Sequence, residues 1–399
     1  MNRRPLSALI TAMKNGTTLD QNNEGRGFPV TRIETIADGT IDPTRVRHLD
    51  LTLAAVEKWT LQPGDILLSH INSVEHIGKS ALYSGQPKVL IHGMNLMLLR
   101  PDRKQVIPEF LHFALRSAVV RKHIRARCKR AINQASINQQ ELGALEISVP
   151  TIELQRSHVN RLSRAENIVR MRKEAEQKAK EIIPALFLDM FGDPGTNPRG
   201  WGMAQLGDVA EVVSGVAKGR KLSGRPTRDV PYMRVANVQA GHLNLSEMKT
   251  TPATESEIAE LNLFRGDILL TEGGDHDKLG RGALLDVDIG ECIHQNHVFR
   301  VRAHQTLLLP EYFAAFLQTE VARYYFLKSA KKTTNLASIN MTQLRALPVV
   351  LPPVDLQYQF AEHMAHIKVL TEELGRGALL ARHAFESLLT RVFSVGFAT

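Results

Sequence analysis

Gly64-Asp65-Ile66-Leu67-Leu68 recurs as Gly266-Asp267-Ile268-Leu269-Leu270, 202 residues further along the chain. The same spacing carries Ala135-Ser136-Ile137-Asn138 onto Ala337-Ser338-Ile339-Asn340, and Pro150, Leu154 and Gln155 onto Pro352, Leu356 and Gln357. It also carries Pro29, Arg32 and Gly39 onto Pro231, Arg234 and Gly241. Ile91-His92 falls on Ile293-His294, Pro108-Glu109 on Pro310-Glu311, and Gly78, Ala81 and Leu82 on Gly280, Ala283 and Leu284. One register without a gap, from about residue 29 to about residue 191, makes the chain two copies of one unit. A period this long is not that of a solenoid, so each copy is expected to fold by itself. Two tethered copies of a binder place two binding sites at a set distance.

Each copy has two parts. In the first, apolar runs are separated by Gly and Pro. Ile66-Leu67-Leu68, Val89-Leu90-Ile91 and Leu145-Glu146-Ile147-Ser148-Val149 fit short strands, and Pro108 to about Arg130 fits a helix. The second part shows helical spacing. Its apolar stripe is Leu162, Ala165, Val169, Ala175, Ala179, Ile183, Leu186 and Met190 in copy one. In copy two it is Met364, Ile367, Leu370, Leu374, Ala378, Ala381, Phe385, Leu388 and Val392. Pro184 is expected to bend or weaken the first helix near its end. The expected architecture is α+β: two repeated globular domains, each followed by a long helix, the two helices pairing as an antiparallel coiled coil. The boundaries fall at 1–152, 153–192, 193–354 and 355–399. A helix of roughly 32 residues is about 48 Å long, against about 34 Å for one turn of DNA, so two readers at its ends would face successive major grooves.

The chain has 399 residues, a formal charge of +9 and a pI near 9.6. That basic excess is compatible with a polyanionic partner. There is no run of eighteen apolar residues, and Thr11, Lys14 and Asn15 interrupt the N-terminus, so neither a membrane span nor a secretory signal is expected. Two cysteines, Cys128 and Cys292, make neither a disulfide framework nor a four-ligand zinc site, as in a cytoplasmic protein.

Enzyme motifs do not assemble. Gly78-Lys79-Ser80 ends like a P-loop, but Ser73 stands where the loop needs glycine, and the second copy has Arg281-Gly282. Glu176-Gln177-Lys178 lies in a charged helix. His363 and His366 align with Arg161 and Arg164 in the first copy, so they do not form a repeated metal pair. Asp275-His276-Asp277 sits in a glycine-flanked loop and reads as facing DNA.

In order and duplication, these features resemble the specificity subunits of Type I restriction–modification systems. The resemblance rests on the doubled Gly-Asp-Ile-Leu-Leu strand with its downstream glycine, Gly78 or Gly280. It rests also on Tyr232-Met233-Arg234-Val235-Ala236-Asn237-Val238 and on the run Leu344 to Pro353 closing at Leu356-Gln357, whose partner is Leu142 to Gln155. Trp201, Leu206-Gly207-Asp208-Val209 and Ser214-Gly215 resemble the family's opening of a recognition domain. The helix starts carry Leu-Gln where the family commonly carries Glu-Gln. The resemblance implies a non-catalytic chain that binds double-stranded DNA at a bipartite target with an unspecified spacer, in defence against foreign DNA. It implies no cofactor in this chain. Two modification subunits would bring S-adenosylmethionine and adenine methylation, and a restriction subunit would bring ATP- and Mg-dependent translocation and cleavage.

DNA contacts need Lys and Arg for phosphates and polar loop residues for base edges. The candidates in copy one are Ser69, His70, Asn72, Ser73 and Lys79 after the Gly-Asp-Ile-Leu-Leu strand, and the basic run Arg121, Lys122, Arg125, Arg127, Lys129 and Arg130. In copy two they are Lys218, Arg220, Lys221 and Arg225, then Glu272, Asp275, His276, Lys278 and Arg281, then Lys328, Lys331 and Lys332. The rival reading is a duplicated coiled-coil scaffold that binds protein and has no specific DNA site.

Overall fold

The structure, a computed structural model, describes residues 2–132, 134–222, 224–274, 279–332 and 337–394; at Asn2, Leu53, Lys331 and Lys332 only the backbone is described. Asp275, His276, Asp277 and Lys278 therefore lie outside the described residues. The chain divides into two compact units, Met1–Lys173 with Arg376–Thr399, and Glu174–Gly375.

In the first unit the Ile66–Ser69 strand is buried along its whole length, as an uninterrupted apolar run requires. It lies inside a four-stranded antiparallel sheet in the order Ile10–Asn15, Leu96–Pro101, Ile66–Ser69, Ser80–Leu82. The second unit repeats the order with Ala210–Ser214, Val298–Ala303, Ile268–Thr271 and Gly282–Leu284. Asn2–Pro5 pairs with Glu146–Val149 just before the first long helix, and Gly202–Gln205 pairs with Pro348–Leu351 before the second. The openings of the copies are thus equivalent, though their sequences are offset. A β-bulge between Ile10 and Ala12 adds a residue in the first copy. The loop between the bridges at Val216 and Pro231 is then three residues longer than its counterpart between Thr17 and Pro29.

Local structure departs from the sequence expectation at two places. The helix expected from Pro108 to Arg130 is two helices, Pro108–Arg116 and Ala118–Arg127. Ser117 breaks it in extended conformation, its hydroxyl donating to Ala114 O and accepting from Val120 N. Lys129 and Arg130 then belong to a strand, Lys129–Ala131. Val89-Leu90-Ile91 forms no strand; Ile91 makes only isolated bridges to Val30 and Thr60. The first long helix, Ile152–Phe191, continues through Pro184, flanked by Ile183, Leu186 and Phe187 packed on the second unit's core.

A buried glutamine fixes each long helix to its globule. The fully buried Gln155 accepts from Ile107 N (2.9 Å) and donates to Pro150 O (2.9 Å) and Gln105 O (3.2 Å). Gln357, on the second long helix Val354–Ser394, accepts from Leu309 N (2.8 Å) and donates to Pro352 O (2.8 Å) and Leu307 O (3.0 Å). Each amide satisfies three backbone groups at once, one N–H and two carbonyls.

The far end of each long helix closes the other copy's core. Phe393, in the last turn of the second helix, packs on Phe110 of the first globule at 5.2 Å between ring centroids, and Phe385 packs on Phe113 at 6.3 Å. Phe191, in the last turn of the first helix, packs on Tyr312 of the second globule at 4.8 Å and on Phe360 at 5.2 Å. Phe191 and Phe393, like Phe110 and Tyr312, occupy matching places in the repeat. The stripe read from periodicity omitted Phe187, Phe191, Phe360, Leu389 and Phe393, all buried, and included Leu370, which is exposed.

Replacing Phe393 by alanine is expected to cost about 3–5 kcal/mol, the usual loss for a buried phenylalanine. The loss should fall on the first unit. Hydrogen exchange should show weakened protection across Pro108–Arg116, with Pro310–Phe316 unaffected. Uniform loss in both helices would contradict the packing described.

Candidate nucleic-acid interface

The Gly-Asp pair of the repeated motif belongs to the frame. Gly64 and Gly266 adopt φ of 97° and 98°, a region that favours glycine. Asp65 forms a two-pronged ion pair with Arg100 on the neighbouring strand, both contacts at 2.7 Å. Asp267 does the same with Arg302, again at 2.7 Å twice.

Beyond the strand, the loop to Lys79 is closed at its base by Ser69 N donating to Lys79 O and Gly78 N donating to Ser69 O. Thr271 N donates to Arg281 O at the matching place in copy two. Gly78 stands at φ 77°, and a Cβ there would sit 3.2 Å from Ile124 of the basic helix. Gly280 is tighter, with its would-be Cβ 2.3 Å from the Phe326 ring. Only glycine lets the helix press on the loop. On the outer side, Arg121 and Arg125 both donate to Glu75 O, at 3.5 and 3.1 Å. Burial and the like charges of Arg125 and Arg116 push the Arg121 pKa down.

A three-stranded sheet joins the two segments that sequence marked separately. Its strands are Ile71–Asn72, Gln134–Ser136 and Lys129–Ala131, with the Ala-Ser of the repeated Ala-Ser-Ile-Asn motif on the central strand. Copy two has the same sheet from Gly273–Gly274, Ala337–Ser338 and Lys331–Lys332. In copy one this sheet and helix expose Lys122, Lys129, Arg130 and Gln134, and leave Arg121, Arg125, Arg127, Asn72 and Ser73 partly exposed. Ser69 is fully buried and His70 nearly so, its pKa lowered by burial. Asn72 donates to Ser69 Oγ, and Lys79 Nζ donates to Ala37 O. In this conformation Ser69, His70 and Lys79 support the loop.

In copy two Lys218, Lys221, Arg225 and Lys328 are exposed. Arg220 is engaged: it binds Glu257 at 2.6 and 3.1 Å and donates to Pro252 O. That guanidinium lowers the Glu257 pKa to about 2. Glu272 pairs with His297 at 2.5 Å, and Arg281 donates to Gln239 at 3.3 Å. Sequence reasoning missed Gln134, His297 and Ile132, which stands at the turn of the basic hairpin. The alternation through Ala135-Ser136-Ile137 beside Lys129-Arg130 was the available signal for that hairpin. Among the described residues, no group of three or more His, Cys, Asp or Glu is placed to hold a metal ion, and no helix is long and apolar enough to cross a membrane.

A doubled frame with differing polar loops defines a recognition protein by class. The family model described as the Type I restriction modification DNA specificity domain matches twice, at residues 3–181 and 198–374. The chain belongs to this family and is a non-catalytic specificity subunit by that membership. It is 36% identical over 246 residues to a putative type I restriction enzyme MjaX specificity subunit of Methanocaldococcus jannaschii, covering 58% of each chain, little more than half of that relative. It is 22% identical over 388 residues to the EcoKI specificity subunit of Escherichia coli K12, covering 92% of this chain and 82% of that one. A solved chain from work on assembly and conformational transition of the type I restriction–modification system matches with a TM-score of 0.59 at 16% identity, covering 98% of this chain and 97% of that one. The S subunit of M. genitalium matches with a TM-score of 0.54 at 16% identity, covering 98% and 96%. These structural likenesses concern the fold alone.

Each copy buries a histidine at the same place in the repeat. His92 binds Leu96 O and His294 binds Val298 O, and burial lowers each pKa to about 4. The unfolded chain protonates these rings first, near pH 6.5, so their contribution is complete above that pH and is lost as pH falls toward 4. Each is expected to remove on the order of 3 kcal/mol over that window. The His92→Gln, His294→Gln double variant should show a flatter stability profile between pH 6.5 and 4 in urea unfolding. An unchanged slope would contradict neutral burial.

Proposed function

We propose that this chain is the DNA-reading subunit of a methyltransferase–nuclease assembly, each copy reading one half of a bipartite target. The observation that carries the reading is the frame built twice, with a three-stranded sheet at its edge and different polar side chains in each loop. A shared frame with divergent loops suits two different half-sites. The domain limits 1–152 and 193–354 bound the two readers, and the long helices set the unspecified spacer.

In copy one, Arg121, Lys122, Arg125, Arg127, Lys129 and Arg130 contact phosphates, and Asn72 and Ser73 face base edges. In copy two, Lys218, Lys221, Arg225 and Lys328 contact phosphates, with Lys331 and Lys332 on the matching strand. Glu272, Arg281 and the loop residues Asp275, His276 and Lys278 face bases. Ser69, His70 and Lys79 act from beneath the first loop and Arg220 from within its clamp. Two modification subunits, supplying S-adenosylmethionine chemistry, dock on the helices. A restriction subunit brings ATP and Mg. The family membership supports these partners.

The test is a map of adenine methylation in cells expressing the cognate modification subunit, with and without this chain. Methylation only with the chain, at a split site with a fixed spacer, is the expected result. A complex that forms but methylates nothing, or methylates without a split site, moves the protein-binding scaffold ahead. For the purified complex, Lys129→Ala and Arg130→Ala should each weaken binding to all sequences alike and lower the salt slope by about one. A change confined to one base position would assign them to base reading instead.

A further inference from the structure

Ile132 is 94% exposed, the most exposed large apolar side chain among the described residues. It stands at the turn between Lys129–Ala131 and Gln134–Ser136. Its neighbours Lys129, Arg130 and Gln134 are exposed and polar, and it belongs to none of the hydrophobic clusters. Such a side chain contributes nothing to the fold it projects from. Exposed apolar groups are ordinary one by one, but this one crowns a basic hairpin on a protein that recognises DNA. Two charges, Lys129 and Arg130, precede it on the strand that leads into the turn.

Isoleucine neither donates nor accepts a hydrogen bond, so it cannot read the polar edge of a base. The apolar feature of the major groove is the C5 methyl of thymine. A two-stranded ribbon fits that groove, which is about 12 Å wide. Branching at Cβ restricts the isoleucine to few rotamers, so little side-chain freedom is lost on contact. We propose that Ile132 reads a thymine methyl at one position of the first copy's half-site, with Lys129 and Arg130 holding the hairpin to the flanking phosphates. This rests on the DNA-recognition reading above.

The experiment uses the full chain bound to its modification subunits and the target given by the methylation map. Each thymine of the first half-site is replaced in turn by uracil, which removes only the methyl. One replacement is expected to weaken binding about four-fold, the value of one buried methyl-sized group. Ile132→Ala should bind the thymine target as weakly as the native protein binds that uracil target. It should be indifferent to the replacement, with an unchanged melting temperature. Indifference of the native protein to every uracil would overturn the proposal, as would sensitivity that survives in Ile132→Ala. Insertion of Ile132 between bases would also overturn it: uracil would then be silent, Ile132→Ala would still weaken binding, and 2-aminopurine fluorescence would report unstacking lost in the variant. In each of these cases specific binding at the split site persists, so the recognition reading stands. Loss of all specific binding by the native complex would remove both.

Discussion

Each globule is closed by an aromatic ring from a helix that begins at the other copy. Phe393 ends the helix that starts at Val354 and completes the core around Phe110; Phe191 ends the helix that starts at Ile152 and completes the core around Tyr312. The rings are buried, and burying a phenylalanine is among the larger single contributions a core receives. At the helix starts, Gln155 and Gln357 close the remaining backbone groups. A long helix is therefore held by hydrogen bonds at its beginning and by apolar packing at its end. Neither copy's core is complete without sequence from beyond its own globule.

That constraint separates what must be alike in the copies from what is free to differ. The Asp65–Arg100 and Asp267–Arg302 pairs, the left-handed Gly64 and Gly266, and the glycines under the helices at 78 and 280 occur at matching places because the frame needs them. The loops they support carry different chemistry. Ile71 and Asn72 in one copy correspond to Gly273 and Gly274 in the other, and Arg125 of one helix corresponds to Leu327 of the other. On the proposed reading, such differences alter the reader while the Asp–Arg pairs and the glycines of the frame are kept. The sheet of Ile71–Asn72, Gln134–Ser136 and Lys129–Ala131 brings loop and basic segment onto one surface, which neither segment achieves alone.

The repeat was legible because a gapless register over a long span leaves one explanation, and it carried the α+β frame and the long helices with it. What escaped depended on tertiary context. Ser117 has a hydroxyl that satisfies both flanking helices, so an amphipathic run that reads as one helix folds as two. The openings of the copies looked dissimilar because a bulge near Thr11 and a longer loop after Val216 shift their register, while the strand pairing is the same. Charge alone did not distinguish Arg225, which is exposed, from Arg220, which Glu257 holds. Periodicity placed Leu370 on the packed stripe and passed over Phe360 because helix contacts follow the partner's surface, not an ideal wheel. Ile132 gave no signal in composition, since an apolar residue reads as core until the hairpin shows it standing in solvent.

The most direct test of the account is a hybrid in which residues 193–354 are replaced by a second copy of 1–152, with both long helices kept. Its adenine methylation pattern is read beside that of the native chain. The account predicts a split target containing the first half-site twice and lacking the second, with the native spacer. A folded hybrid, in complex with its modification subunits, that still methylates the original target would contradict the assignment of one half-site to each copy.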